Sequence, residues 1–147
     1  EKLALARDFG ATDAVNASAS DPVEAVRDLT GGGVDHAFEA LGRKRTAEQA
    51  YEMLERSGTA TIIGMVPEGV KLEIEAASLL YDRRIQGSNM GSNRFRVDMP
   101  RYVDFYLAGR LQLDELISRR IGLEQINEGF ADLRKGRLAR SVILFPR

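Results

Sequence analysis

Few side chains in this 147-residue sequence are equipped to make or break a bond. It has no cysteine and a single histidine, which excludes a disulfide framework and any zinc site needing Cys or several His ligands. His36 stands between apolar neighbours in a strand-like run, with no partner for a catalytic or ligating role, and reads as a core or edge histidine. Ser-His-Asp chemistry lacks its nucleophile elbow. Binding is what remains. The stretch from Gly31 to Gly42 reads as a glycine turn, a short buried strand and a second glycine turn leading into a helix. Alternation puts Val34, His36, Phe38 and Ala40 on one face, and Asp35, Ala37 and Glu39 on the other. Ligands of open α/β sheets collect at the carboxyl ends of the strands, so Glu39 through Arg43 is the first place to look for one.

The elements around that stretch follow from periodicity and punctuation. Glu1–Phe9 reads as the end of a helix stopped by Gly10, and Ala14–Asn16 as a very short strand. Asp21, Pro22 and Glu24 start a helix that runs to Gly31, by capping box and by proline at the first helical position. Thr46, with Gln49 three residues on, is expected to cap the next helix, whose stripe is Ala47, Ala50, Tyr51 and Leu54 and whose stop is Ser57-Gly58. Thr59–Ile63 is a strand covered on both faces, ending at Gly64. A loop at Val66–Gly69, a short helix near Ala76–Leu80 and a weaker strand at Arg84–Ser88 come next.

Gly91–Asp98 is polar and irregular, and Pro100 is expected to open a helix running to Ala108. Leu113–Ser118 reads as a helical turn. Leu123–Lys135 reads as a helix with Ile126, Phe130 and Leu133 on one face, and Ser141–Phe145 as a closing apolar strand. Alternating strands and helices with glycine at the turns predict an α/β fold: a doubly wound parallel sheet with helices on both faces. No linker or repeat divides residues 1–147, which are expected to form one domain.

Lys and Arg total 21 against 22 Asp and Glu, so the charge offers no footprint for nucleic acid or an anionic membrane. No apolar run is long enough for a transmembrane helix and no signal peptide is visible. The chain opens on Glu1-Lys2-Leu3, already inside a helical pattern, as a piece of a longer protein would. It lacks the G-x-G-x-x-G phosphate loop; Gly31-Gly32-Gly33 precedes a strand and is a turn. The residues alone reach an α/β domain with a small-ligand site.

Five strings carry a resemblance: Glu1–Ala6; Phe9-Gly10-Ala11-Thr12; Gly33-Val34-Asp35 with Phe38–Arg43; and Ile126–Phe130, in that order along essentially the whole chain. In these the sequence resembles the zinc-dependent medium-chain alcohol dehydrogenases, most closely the branch of class III, thiol-adduct-oxidising (formaldehyde) enzymes and related bacterial alcohol dehydrogenases. The resemblance implies an incomplete Rossmann-type sheet, the C-terminal part of an NAD-binding domain plus a closing segment. The glycine-rich loop, the acidic residue for the adenosine ribose and the zinc-bearing catalytic domain would lie upstream. It also implies a cytoplasmic enzyme that oxidises small alcohols, with no catalytic or metal-ligating residue in this chain.

Position by position, the resemblance implies that Lys2 contacts the adenosine ribose, although a solvated helix lysine is the plain alternative. Ala40, Leu41 and Arg43 would flank the adenine and its ribose, Arg43 by stacking unless it is a free surface arginine. Ile63, Gly64 and Met65 would pack against the nicotinamide ribose, with Gly64 leaving room for close approach. Ser88 and Met90 belong to the strand end whose backbone binds the carboxamide, although Asn89 and Met90 depart from the apolar residues common there. Arg140 would pair with the pyrophosphate. Family members dimerise through the strand that is here Arg84–Ser88, which implies a homodimer joined at Ile85 and Gln86. Two other readings stay open: a non-catalytic nucleotide-binding or oligomerisation module of the same fold, and an adenosylmethionine-dependent methyltransferase. Arg43, Lys44 and Arg45 leave NADP as an alternative to NAD.

Overall fold

A computed structural model describes residues 2–136 and 138–145, so Glu1 of the first expected helix lies outside the described residues. The chain divides into two compact units, residues 15–93 and residues 1–14 with 94–147.

Residues 15–93 hold a three-stranded parallel sheet in the order β1-β2-β3: β1 is Val34–Glu39, β2 Leu54–Ile62 and β3 Arg84–Gly87. Helix α2 (Pro22–Thr30) begins as its sequence predicts, with the Asp21 carboxylate accepting from the N–H groups of Val23 and Glu24 at 2.8 and 3.1 Å. Helix α3 (Lys44–Glu52) packs against β1 and β2. Its residues Ala47, Ala50 and Tyr51 are buried, and the core gathers Ala37, Ala50, Tyr51, Leu54 and Ala60. The buried Tyr51 hydroxyl shares a 2.8 Å hydrogen bond with Ser78, in the 3-10 segment Ala76–Tyr81.

Several expectations for this unit are corrected. Ala14–Asn16 forms no strand. Thr46 does not cap α3: the helix starts three residues earlier, with Arg43 at the N-cap, and the Thr46 hydroxyl is drawn to the Glu39 carboxylate instead. Helix α3 also ends at Glu52, and Leu54 belongs to β2. The register against β1 steps from Val34↔Leu54 to His36↔Thr59, so residues 55–58 bulge out and Ser57 takes a left-handed φ of 63°. An irregularity of this kind breaks the period on which strand recognition rests. Strand β1 is buried on one face only: Ala37 and Glu39 are inside, while Phe38 is 67% exposed and His36 lies at the surface.

The other unit contains α1 (Lys2–Asp8), α4 (Phe95–Leu107), α5 (Ile126–Arg134) and two short parallel strands, β4 (Arg119–Ile121) and β5 (Ser141–Ile143). Strand β4 was not foreseen; three residues, two of them arginine, carry no alternation to read. The Arg119 guanidinium pairs with Asp132 of α5 at 3.1 Å. Helix α4 begins at Phe95 rather than Pro100, because the Asp98 carboxylate accepts from the Arg94 N–H at 2.8 Å, and Pro100 is held inside the helix. The strand expected over Ser141–Phe145 ends at Ile143. Among the described residues no helix is long and apolar enough to cross a membrane.

Candidate coenzyme site

The carboxyl ends of β1 and β2 are tied together by backbone and by one buried acid. The Glu39 carbonyl accepts from the N–H groups of Ile63 (2.8 Å) and Gly64 (3.0 Å), which sets the turn after β2 beside the turn after β1. The next strand joins the row where the Ser88 N–H donates to the Ile62 carbonyl at 2.9 Å. Gly42 holds a φ of +82°, and a Cβ there would lie 2.5 Å from the Met65 carbonyl oxygen. A Cβ on Gly64 would run into the Gly42 backbone nitrogen and the Glu39 carboxylate. The two turns touch through their backbones because neither glycine has a side chain.

Glu39 anchors the first turn. Its Oε1 accepts from the Leu41 N–H at 2.9 Å, the Gly42 N–H at 2.8 Å and the Thr46 hydroxyl at 2.7 Å. Its Oε2 is buried and makes no hydrogen bond. Burial by itself raises the pKa of this carboxyl. The Thr46 hydroxyl and the N–H groups of Gly42, Leu41 and Arg43 outweigh it and hold the pKa below the ordinary carboxylate range. A cluster of successive N–H groups around an anion is the arrangement that favours an ionised form.

On this floor the residues singled out from the sequence fall into two groups. Ala40, Leu41 and Arg43 follow β1 and are exposed. Ile63, Gly64 and Met65 follow β2; Met65 is 93% exposed. Ser88 and Met90 follow β3, with Met90 86% exposed at a left-handed φ of 48°. These eight therefore sit at the ends of three adjacent parallel strands. Lys2 and Arg140 belong to the other compact unit. Lys2 is exposed on α1, and Arg140 is exposed just ahead of β5, its carbonyl accepting from the Ser118 N–H at 2.9 Å. A groove of about 480 Å³ runs along the outer face of β1, lined by Val26, Val34, His36, Phe38, Leu41 and Met53 among others. Of the neighbouring cations, Lys44 is engaged by Glu73 at 2.9 Å and Glu48 at 3.6 Å.

Glu39 and Thr46 are the residues whose roles sequence reasoning missed. The available signal was an acid three residues ahead of a glycine at a strand end, with a hydroxyl within reach in the following helix. Among the described residues, no group of three or more His, Cys, Asp or Glu is placed to hold a metal ion.

A parallel sheet whose strand ends form a backbone floor, with helices packed on it, defines a nucleotide-binding type of α/β domain. A family model described as zinc-binding dehydrogenase matches residues 1–108, and the chain belongs to that family. It is 36% identical over 146 residues to geraniol dehydrogenase of Carpoglyphus lactis, covering 99% of this chain and 39% of that protein. It is 36% identical over 115 residues to the class-3 alcohol dehydrogenase of Cereibacter sphaeroides, covering 78% of this chain and 31% of that one. A solved alcohol dehydrogenase zinc-binding domain protein from Burkholderia ambifaria superposes with a TM-score of 0.88 at 35% identity, over 99% of this chain and 40% of that chain. A Sinorhizobium meliloti 1021 structure described as a zinc-binding dehydrogenase bound to NADP gives 0.75 at 35% identity, over 86% of this chain and 37% of that chain. These agree with the Rossmann-type fold and the family expected from the sequence. The chain spans between 31% and 41% of the length of curated relatives such as these.

Proposed function

We propose that this chain is the coenzyme-binding part of an NAD-dependent zinc alcohol dehydrogenase, which oxidises small alcohols to aldehydes or ketones. The observation that carries the reading is the close backbone approach of the turns after β1 and β2 at Gly42 and Gly64, which sets two adjacent parallel strand ends side by side where ligands of open α/β sheets collect. On this reading Leu41 and Arg43 border the adenosine half, and Ile63, Gly64 and Met65 the nicotinamide ribose. The backbone near Ser88 and Met90 receives the carboxamide. The bound coenzyme would supply the hydride acceptor. The described residues do not fit a zinc site, so the metal would be held elsewhere in the intact enzyme.

NAD is taken as the coenzyme with NADP as the alternative: Lys44 is engaged by Glu73 and Glu48, while Arg43 and Arg45 stay exposed beside it. The sequence relative bound to NADP keeps that choice open to measurement. Residues 1–147 would act as one coenzyme domain of a cytoplasmic homodimer paired at Ile85 and Gln86 on the outer edge of β3. The test is fluorescence titration of the full-length enzyme with NADH and NADPH, then turnover on a panel of alcohols and light scattering for mass. Tighter binding of NADH with alcohol-dependent reduction of NAD is the expected result. Failure to bind either reduced coenzyme overturns the reading, and a monomer at high concentration overturns the dimer alone.

A further inference from the structure

We propose that Glu39 is a positioning residue for coenzyme, acting through the Leu41–Arg43 turn and through Gly64. The inference rests on the coenzyme reading above and extends it to a residue that touches neither reactant. A buried carboxylate is costly unless its environment compensates it. Here the compensation comes from one short segment: Leu41 and Gly42 donate backbone N–H groups to Oε1, and the first turn of α3 adds the Thr46 hydroxyl. One charge therefore fixes the path of the chain from β1 into α3, and with it the places of Leu41 and Arg43.

The second oxygen gives the arrangement its direction. Oε2 is buried without a hydrogen bond, against the space that a Cβ on Gly64 would need. A neutral amide in its place keeps the shape and can keep an oxygen at the Oε1 position, but it loses the charge that strengthens the N–H bonds and puts an NH2 at the buried Oε2 position. The turn is then free to swing, and the two halves of the proposed site lose their common reference point.

The experiment compares the full-length wild-type enzyme with Glu39→Gln, Thr46→Val and Thr46→Ser. It measures the NADH dissociation constant by fluorescence, kcat at saturating coenzyme and KM for NAD. Hydrogen bonds to a charged group are strong enough that Glu39→Gln should raise the dissociation constant and KM about 10-fold. kcat should stay within about 2-fold of wild type, because no group touching the reacting atoms has changed. Thr46→Val should weaken binding about 3-fold and Thr46→Ser restore it, since the hydroxyl alone is at stake.

Wild-type affinity in Glu39→Gln overturns the proposal while leaving the coenzyme reading intact. So does a loss of kcat in step with the folded fraction, with the dissociation constant of the survivors unchanged, because that is the signature of a structural role only. Should Glu39→Gln fail to fold, the Thr46 pair decides: equal affinity in Thr46→Val overturns the proposal. A wild-type enzyme that binds no nicotinamide coenzyme overturns both readings.

Discussion

Residues 15–93 and the remaining unit spend similar proportions of apolar residues to different effect. In the first, Leu54 and Tyr51 are almost fully inaccessible and three strands share one row of hydrogen bonds. In the second, Ile126, Phe130 and Leu133 share one face of α5, yet Phe130 is 57% and Leu133 53% exposed, and the buried residues are Ile121 and Gly129. An amphipathic period thus locates a helix in both units but says little about how deeply that helix is buried. Depth depends on the neighbours it meets, and in residues 15–93 those neighbours also carry the candidate site.

The contrast is broken or sharpened first at Leu54. Leu54→Ala, which empties a fully buried position, should cost about 2–5 kcal/mol in urea unfolding. Gly64→Ala comes next, because its Cβ must displace the Gly42 backbone or the Glu39 carboxylate. A loss of about 1–3 kcal/mol is expected, together with weaker NADH binding in the same titration. Tyr51→Phe removes one buried hydrogen bond and should cost about 1 kcal/mol, read from the same denaturation curves. Phe130→Ala, at a half-exposed position of the other unit, should cost less than about 1.5 kcal/mol, well below Leu54→Ala. Equal losses at Leu54 and Phe130 would erase the distinction between the units.

Acid titration gives the smallest and most local effect. Hydrogen bonds lower the Glu39 pKa in the folded state, so its contribution is present above the unfolded value of about 4.3 and is lost as pH falls through the folded value. The acid limb of stability against pH should therefore be shallower in Glu39→Gln than in wild type. Identical limbs would mean that folding does not lower the Glu39 pKa.

Much of the architecture was legible because local rules operated without competition. Asp21 with Pro22 starts α2 as written, and the strand at Arg84 sits within a residue of its expected span. The family and its fold were likewise visible in strings such as Phe38–Arg43. The failures have a common cause, which is that a side chain had two possible partners. The spacing of Thr46 to Gln49 predicts a cap, but a buried carboxylate across the turn competes better for its hydroxyl. Asp98 draws the start of α4 ahead of Pro100 in the same way. The bulge at residues 55–58 hid the first half of β2, and three-residue β4 had no period at all. At the candidate site the exposed turn residues could be placed from the sequence, whereas the acid beneath them shows its role only through its distances.

The parallel register also bears on how quickly the protein can form. His36 pairs with Thr59, Thr59 with Arg84 and Arg119 with Ser141. Each pairing closes a loop of roughly two dozen residues before its hydrogen bonds repay the lost chain entropy. Among the described residues no hairpin is available to nucleate either sheet, since the paired strands all run parallel. Helices α2 and α3 can be made early from local contacts, but the row of strand ends on which a ligand would rest exists only after the slowest closures. Binding competence should accordingly be among the last properties acquired in refolding, appearing after most of the helical signal has returned.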